Sequence, residues 1–574
     1  MLRSRLSVIL SILVVLTMVL SACAPAVPTA TEPAQPAAPT EAPAEEKPVE
    51  EKPAEPAAEE KPTEAPVVEE PAAPKYSESP LLAEMVKAGT LPPVEERLPE
   101  NPMIVEALEV GQYGGNWRMG LRGGTDDASF IRTIFYEPLI KWTKEWNGVM
   151  PNIAESYEVN ADATEYTFYL RKGIKWSDGE PFTADDILFW YEDIVLNPDL
   201  SASAPGWLKT GADVGVVSKV DDFTVKFTFA QPYGLFEQYV AHVDARTMLC
   251  FPKHYAMQYH VKYADAATLE AAVKESGYAN WIELFRGKVA NTPDCGGAGK
   301  AAVPGRPTLD AWMVKEPYSG NATRVVFERN PYYWKVDQNG QQYPYIDTIT
   351  FNVFDDIPAM LLKATNGEID FQMRHYNTLD NKAVLFDNME KGDYRFFALP
   401  EASSNKIAVM FNLTHKDPGM REVLGNKDFR IGMSYAINRQ EIIDTVYVGQ
   451  ATPWQVAPLA GTPFYNEQMA TQYLEYNVDL ANEYLDKIIP NKDANGMRLR
   501  PDGKPLNIVL EISNAFKDHV DAGMMMSTYW KAVGVNVEAK PEDRSLLYTR
   551  KDANDLDAMT WNGEGGVNPM MDLR

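Results

Sequence analysis

The stretch PNIAESYEVNADATEYTFYLRKGIKWSDGEPFTADD spans residues 151–186 and carries the signals of a strand, a turn and a helix start in succession. Large apolar side chains recur at every second position over 166–170, and a period of two predicts a half-buried strand. Asp178-Gly179 predicts a turn. Thr183 and Asp186, three residues apart, are typical of the capping box that opens a helix. We therefore expect a strand, a turn and a helix here.

Strands and helices of the same kind are predicted along the rest of the chain. The alternation recurs over 223–229 and 349–353, which predicts two more strands. Amphipathic segments at 429–437 and 441–448 predict helices, and the second ends at Gly449, a residue type favoured at helix C-termini. Because strands and helices are interleaved rather than segregated, the sequence indicates an α/β or α+β protein.

Composition narrows the class of protein. The 574 residues include 81 Asp and Glu but only 54 Lys and Arg, which gives a net charge of −27. Phosphate backbones repel a chain this acidic, so a nucleic-acid partner is disfavoured. With 45% apolar residues the chain can bury a large core. Its three cysteines exclude a disulfide-dense scaffold and a four-cysteine metal site.

The N-terminus has the pattern of a bacterial lipoprotein precursor. Residues 1–23 combine two early arginines, an apolar run and the sequence LSAC, which predicts a signal peptide and lipid attachment to Cys23. The alternative is a secreted protein in which Cys23 is a free thiol. Residues 24–75 hold 13 of the 42 prolines and predict a disordered Pro/Glu/Ala-rich linker. We expect an extracytoplasmic protein anchored to a membrane, at the cell surface or in the periplasm.

The sequence contains no motif of catalysis or of metal binding. Residues 295–300, CGGAGK, lack the first glycine of a phosphate-binding loop and are followed by Ala instead of Ser or Thr, so we interpret them as a flexible loop. The six histidines form no H-E-x-x-H pair, and no G-x-S-x-G elbow occurs. The sequence therefore predicts no catalytic residue, no cofactor and no metal ion.

Cys250 and Cys295 are the thiols that remain after lipidation of Cys23. In an oxidising compartment outside the cytoplasm, the two can form a disulfide that closes the loop between them. The alternative is a pair of separately buried thiols.

Several motifs together resemble those of the family 5 extracellular solute-binding proteins, which serve ABC importers for peptides and some oligosaccharides. The family pattern P-x-L-A-x-S-Y…L-R-K-G-x-x-[FW]-x-D-G-x-P-x-T-A-x-D is nearly complete between Pro151 and Asp186. Further similar segments are NPYYW at 330–334, YIDTI at 345–349, NGEID at 366–370, and FR and SYAINR within 429–439. The resemblance covers roughly residues 111–569.

This resemblance implies a two-lobed, periplasmic-binding-protein-like α/β fold of type II, cluster C, with a hinge, over residues 76–574. Such a protein binds a solute between its lobes and delivers it to an ABC permease and its ATPase subunits, as a monomer that catalyses no reaction. The solute implied here is peptide-like, and the alternative is a cello- or other oligosaccharide. A surface hydrolase or adhesin with the same lipid tether is an alternative from a different class.

The resemblance also implies ligand-binding residues. Peptide binders of the family carry an Asp in a W-x-x-D segment that pairs with the amino terminus of the ligand, and Glu564 takes that position after Trp561. Trp561 would stack on a sugar or cover a peptide side chain. The alternative for Glu564 is an ordinary loop carboxylate, and the alternative for Trp561 is a core residue. Four further candidates for ligand binding lie where members of the family bring loops of both lobes toward the cleft: Thr125, Asp126, Ser404 and Asn405. The alternative for these four is that they are ordinary turn residues.

Two departures from the family pattern affect the first lobe. Where the family has a G-T-G-P-Y motif, this chain has the sequence PTLDAW at 307–312. A longer insertion that contains Cys295 precedes it. The chain also ends at Arg574, soon after Glu564, whereas family members continue and return to the first lobe. We therefore expect a C-terminally truncated chain in which strands of the first lobe lack partners.

Overall fold

The computed structural model describes residues 75–569 except 124–125, 145–146, 291, 293–294, 320 and 398–400. The predicted signal peptide, Cys23, nearly all of the linker and Thr125 lie outside the described residues. Within the described ranges, no helix is both long enough and apolar enough to cross a membrane.

The stretch 151–186 folds as its pattern predicts. The side chains that alternate over 166–170 are buried in a four-stranded sheet. The Thr183 hydroxyl accepts from an amide of the first turn and the Asp186 carboxylate accepts from the Thr183 amide, which confirms the capping box at the start of the helix Ala184–Phe189. The sheet is antiparallel, in the order Ala154–Val159, Glu165–Leu170, Thr224–Thr228 and Val216–Asp221.

A second sheet forms the centre of the first lobe. Its strands follow the order Trp312–Glu316, Arg324–Arg329, Thr348–Phe354 and Asn116–Arg122, and the last two are parallel. The outer edge of Asn116–Arg122 is covered, because the amide of Asp370 donates to the Arg118 carbonyl at 2.9 Å and the amide of Gly120 donates to Gln372 at 3.0 Å. This edge strand therefore has hydrogen bonds on both sides.

The second lobe has its own sheet and core. The sheet order is Asn405–Phe411, Ala558–Gly563, Asn507–Ser513 and Asn536–Glu542, with an antiparallel first pair and parallel pairs after it. The long helix Lys517–Ala532 packs on this sheet. The two predicted helices are Lys427–Tyr435 and Arg439–Val446, each two residues earlier than expected, and Gly449 has a positive φ of 73°.

Other elements complete both lobes. Two- and three-residue strands pair at Met103–Ile104 with Lys335–Val336, Ile140–Trp142 with Val149–Pro151, and Lys209–Thr210 with Asp213–Val214. The remaining α-helices of five or more described residues are Pro80–Lys87, Ala128–Thr133, Phe236–Ala241, Ala266–Ser276, Trp281–Lys288, Gly297–Ala301, Ile357–Thr365, Lys382–Asp387, Pro418–Gly425, Glu467–Thr471, Val478–Asp486 and Arg544–Asp552.

The interpretation of CGGAGK as a flexible loop is wrong. Gly297–Ala301 is a short helix, and a Cβ on Gly297 would lie 2.5 Å from the carbonyl oxygen of Asp127. Lys300 is buried and forms an ion pair with the buried Asp310. The segment is ordered by this close packing and by the buried pair, neither of which a glycine-rich pattern reveals.

Cys250 and Cys295 are free thiols that lie together in the core of the first lobe. Burial by itself raises the pKa of Cys250, but a hydrogen bond with Cys295 and the nearby positive charges of Lys300 and two arginines lower it to about 6. The two thiols are therefore neighbours, and the disulfide between them stays a prediction.

Candidate functional site

Two chain segments pass side by side between the lobes. Residues 402–405 lead into the sheet of the second lobe and 563–567 lead out of it, and we call this pair the ribbon. The amide of Ser404 donates to the Gly563 carbonyl at 2.9 Å, and that of Val567 donates to the Ala402 carbonyl at 3.2 Å. Asn568, just after the ribbon, donates to Gln238 of the first lobe at 3.0 Å.

Glycine is required where the two segments of the ribbon touch. A Cβ on Gly566 would lie 2.6 Å from both the Ala402 carbonyl oxygen and the Ser404 amide nitrogen, which are backbone atoms that cannot turn away. At Gly563, a Cβ would lie 2.4 Å from the side-chain oxygen of Asn405. The two segments therefore approach more closely than a residue with a side chain allows.

The ribbon brings three predicted site residues together. The Ser404 hydroxyl lies 2.9 Å from the side-chain oxygen of Asn405 and 3.2 Å from the backbone carbonyl oxygen of Glu564, and is placed to donate to either. The Asn405 amide group donates to the Trp454 carbonyl at 2.9 Å. Ser404 and Asn405 thus fix the geometry of the ribbon at the backbone of Glu564.

Trp561 lies in the strand Ala558–Gly563, two residues before the ribbon, and is surrounded by aromatic and cationic side chains. It is half-buried, with its ring centroid 5.4 Å from that of Phe516 and 5.5 Å from that of Tyr548. The guanidinium carbon of Arg544 lies 5.5 Å from the centroid of the indole ring, within the range of a cation–π contact. Trp561 is therefore not enclosed in the main core of the second lobe.

Asp126 follows the edge strand of the first lobe and is buried. Its carboxylate accepts a hydrogen bond from the Arg374 guanidinium at 3.0 Å and another from the Arg122 amide at 3.2 Å. The Nε2 atom of His375 lies 2.5 Å from the same carboxylate. Burial raises the pKa of this carboxyl, but these hydrogen bonds and positive charges outweigh burial and lower the pKa below its ordinary value. Asp126 is thus an ionised counter-ion within the protein.

Sequence reasoning missed three arginines near these residues. Arg132 belongs to the helix that follows Asp126, Arg374 binds Asp126, and Arg544 contacts Trp561. Desolvation lowers the pKa of Arg132, and so do the like charges of Arg374 and Arg544. No sequence motif contains these residues, and their proximity is produced only by the tertiary fold.

A metal site has no support from the described part of the chain. Within residues 75–569, apart from the gaps given above, no group of three or more His, Cys, Asp and Glu side chains is placed to hold an ion.

Comparisons with known proteins assign this chain to a protein family. The profile described as "Bacterial extracellular solute-binding proteins, family 5 Middle" matches residues 148–573. The chain is 26% identical to a periplasmic alpha-galactoside-binding protein of Rhizobium meliloti, over 79% of this chain and 66% of that protein. It is 23% identical to the periplasmic oligopeptide-binding protein OppA of Escherichia coli, over 70% of this chain and 64% of that protein.

Solved structures agree with this family. An oligopeptide-binding protein OppA is 37% identical with a TM-score of 0.62, and the match covers 87% of this chain and 76% of that one. The periplasmic binding protein MelB from Agrobacterium fabrum, in complex with stachyose, has a TM-score of 0.64 at 24% identity, over 86% and 74% of the two chains. Two-lobed α/β architecture is thus shared with periplasmic binding proteins, as the resemblance implied.

The matched regions span between 52% and 66% of the length of the first three curated relatives. The names of these relatives are those of binding proteins rather than of enzymes. Because the profile covers residues 148–573, more than half of the chain, the assignment does not depend on any single relative. The chain belongs to the bacterial extracellular solute-binding proteins of family 5.

Proposed function

We propose that this protein is the extracytoplasmic substrate-binding component of an ABC importer and captures a peptide-like solute by closure of its lobes. The observation that carries the proposal is that Glu564 lies within the ribbon that passes between the lobes, and Trp561 lies two residues before the ribbon. A ligand that contacts both lobes favours the closed state through contacts that the open state lacks. The permease and ATPase subunits would receive the solute from this closed state.

Membrane attachment through lipid on Cys23 is part of the proposal, as is function as a monomer. The Pro-rich linker that follows Cys23 would let the two lobes reach the permease while the protein stays tethered. The tether therefore acts by raising the local concentration of the binding protein beside its transporter.

Peptide as the solute is supported by the names of several relatives. They include the oligopeptide-binding protein OppA and an AppA protein of Bacillus subtilis solved with a nonapeptide. Glu564 would accept the ammonium group of the peptide in the position where peptide binders of the family carry an Asp. An ionised carboxylate makes hydrogen bonds roughly twice as strong as those of a neutral acceptor, which suits it to this role.

An oligosaccharide is the second candidate solute, and three observations favour it. One relative is an alpha-galactoside-binding protein, and MelB was solved with stachyose. The half-buried ring of Trp561 is also suited to stack on a sugar, because aromatic faces offer rigid apolar surface at low entropic cost.

Thermal-shift screening of the full-length protein tests the proposed function. The panel would contain di- to pentapeptides, stachyose and cello-oligosaccharides. A solute that binds the folded state raises the melting temperature in proportion to the logarithm of its concentration above Kd. If no member of either class changes the melting temperature at millimolar concentration, the proposal fails.

Glu564→Ala is expected to weaken peptide binding by about one to two orders of magnitude, because a hydrogen bond to a charged group contributes about 1.5–3 kcal/mol. Isothermal titration with the peptide chosen by the screen measures this effect. Glu401→Ala is the matched control, because Glu401 is an exposed carboxylate near the ribbon that pairs with Lys406. Unchanged affinity in Glu564→Ala would remove the amine anchor.

A further inference from the structure

Two thiols lie side by side in the core of the first lobe. Cys250 follows the helical segment Val243–Leu249, and Cys295 precedes the short helix Gly297–Ala301. The two residues are 1% and 0% exposed, and their sulfur atoms lie within hydrogen-bonding distance of each other. Solute binding between the lobes uses neither thiol, so the pair has no role in the proposed function.

Three buried cations surround the two thiols. The Nη2 atom of Arg306 lies 3.9 Å from the sulfur of Cys295 and also donates to the carbonyl oxygen of Cys250. Arg246 donates to the carbonyl oxygen of Cys295 at 3.4 Å. Lys300 belongs to the short helix that follows Cys295, and its side chain is buried with those of the two arginines. We call these five residues the thiol cluster.

The thiol cluster contains more buried positive charge than the described carboxylates neutralise. Asp310, itself buried, forms an ion pair with Lys300. Within the described residues, the guanidinium groups of Arg246 and Arg306 donate to backbone carbonyls rather than to carboxylates, and the Nε atom of each is buried without a hydrogen-bond partner. A buried charge without a counter-ion is costly, so one more negative charge at this place would stabilise the fold.

A cysteine thiolate can supply that charge. Burial alone would raise the pKa of Cys250, but the hydrogen bond with Cys295 and the three cations lower it to about 6. Burial and the neighbouring sulfur raise the pKa of Cys295. At neutral pH the two sulfurs therefore hold one proton between them. The thiolate is the form of cysteine that acts as a nucleophile and reacts with oxidants.

We propose that Cys250 and Cys295 are a redox-active pair, whose reduced state carries one thiolate as the counter-ion of Arg246 and Arg306 and whose oxidised state is a disulfide. A disulfide is uncharged, so oxidation removes the counter-ion and leaves the buried cations unbalanced. The thiol cluster therefore stabilises the reduced pair and makes the disulfide easier to reduce than a purely structural one. This role is independent of which solute the protein binds.

The oxidant is a second disulfide, and the exchange takes two steps. The thiolate attacks one sulfur of the oxidant, which forms a mixed disulfide and expels the other sulfur as a thiolate. The second cysteine gives its proton to that thiolate and attacks the first cysteine, which closes the bond and releases the remaining sulfur of the oxidant. The pair loses two electrons and the oxidant gains them. Because both sulfurs are buried, exchange takes place before folding is complete or during local opening.

The ultraviolet absorbance of a thiolate, which a thiol lacks, tests the reduced state. The full-length chain is used with Cys23→Ser, so that the pair provides the remaining thiols. The reduced and folded protein is expected to show the absorbance of one thiolate at neutral pH. The variant with Cys250→Ser and Cys295→Ser should lose it. If the unchanged pair shows no such absorbance, both sulfurs are thiols, another anion balances the arginines and the proposal fails.

Mixtures of reduced and oxidised glutathione test the disulfide. The oxidised fraction is measured by mass spectrometry after alkylation, starting from both the reduced and the oxidised protein so that slow exchange at buried sulfurs is recognised. The disulfide is expected to form. In Arg306→Met it should be about tenfold harder to reduce, because reduction then restores a partner to one cation fewer. Arg306→Lys keeps the charge and should remain close to the unchanged protein.

Arg171→Met is the matched control, because Arg171 is a buried arginine of the same lobe that likewise donates to backbone carbonyls. It should leave the glutathione equilibrium unchanged, and melting curves show whether each variant is folded. Failure of the disulfide to form, or equal reducibility of Arg306→Met and the unchanged protein, overturns the proposal. If Arg306→Met does not fold, the thiolate absorbance of the unchanged pair and its oxidation by glutathione still decide.

Discussion

Glu137→Leu is expected to lower the free energy of unfolding by about 3–5 kcal/mol, the usual cost of leaving one member of a buried ion pair without its partner. The Lys335 ammonium donates to both oxygens of Glu137, at 2.9 and 2.7 Å, and both side chains are nearly buried. Asn152 donates to the same carboxylate at 2.9 Å, and the hydroxyl of Tyr333 also donates to it. Urea unfolding measures the loss.

The effect should depend on pH in a defined direction. Burial raises the pKa of Glu137, but Lys335 and the hydrogen bonds outweigh burial and lower it below the ordinary value of 4.5. Because the unfolded chain then binds more protons, the stabilisation by Glu137 is lost as the pH falls through the lowered pKa and is complete above about pH 4.5, up to the region where Lys335, whose burial lowers its pKa to about 8, loses its charge. The difference between Glu137→Leu and the unchanged protein should therefore narrow in acid.

Two further variants isolate the cause. The double variant Glu137→Leu with Lys335→Met removes both charges of this buried pair, so most of the stability lost in Glu137→Leu should return. Glu165→Gln breaks a partly exposed pair with Lys226 and should cost less than about 1 kcal/mol. If the double variant were no more stable than Glu137→Leu alone, packing rather than the unpaired lysine would be the cause.

Phe130→Ala is expected to cost about 3–5 kcal/mol, the range for removal of a fully buried aromatic side chain. Phe130 is 0% exposed, and its ring contacts four others with centroids 5.0–6.1 Å away: Phe135, Tyr318, Phe327 and Phe351. It lies on the helix that also carries Arg132, between that arginine and Asp126. The midpoint of urea unfolding measures its contribution.

Loss of Phe130 should also affect the cleft. The ring anchors the short helix Ala128–Thr133 to the first-lobe sheet, so a cavity beneath it lets Arg132 shift. Phe130→Leu fills most of the cavity and should recover much of the stability, whereas Phe386→Ala, at a position that is 50% exposed, should have little effect. A small effect of Phe130→Ala would contradict the anchoring role of the ring.

The elements that sequence predicts well are those specified by near neighbours in the chain. The strand over 166–170 and the capping box of Thr183 and Asp186 follow from periodicity and spacing within a few residues, and both are confirmed. The helices Lys427–Tyr435 and Arg439–Val446 begin two residues earlier than the apolar pattern predicts, because the Asn residues that cap them precede that pattern. The two-lobed arrangement was predicted from the family motifs, because periodicity alone does not predict how strands and helices are divided into lobes.

The candidate site was predicted only in part, and the reason is physical. Trp561 and Glu564 could be proposed because a family motif places them, but what surrounds them depends on distant segments. Asp126 was expected to face a ligand, and its partners Arg374 and His375 come from far along the chain. Arginines are common surface residues, so no local pattern distinguishes Arg132 from an ordinary solvated side chain.

The ribbon has a mechanical consequence. Two chain segments joined by backbone hydrogen bonds resist sliding along each other, because sliding breaks those directional bonds, whereas bending out of their common plane leaves the bonds intact. With Gly563 and Gly566 in close contact across it, the ribbon of 402–405 and 563–567 cannot separate into two independent tethers without losing these bonds. We therefore expect the two lobes to move against each other chiefly by rotation about an axis across both segments of the ribbon.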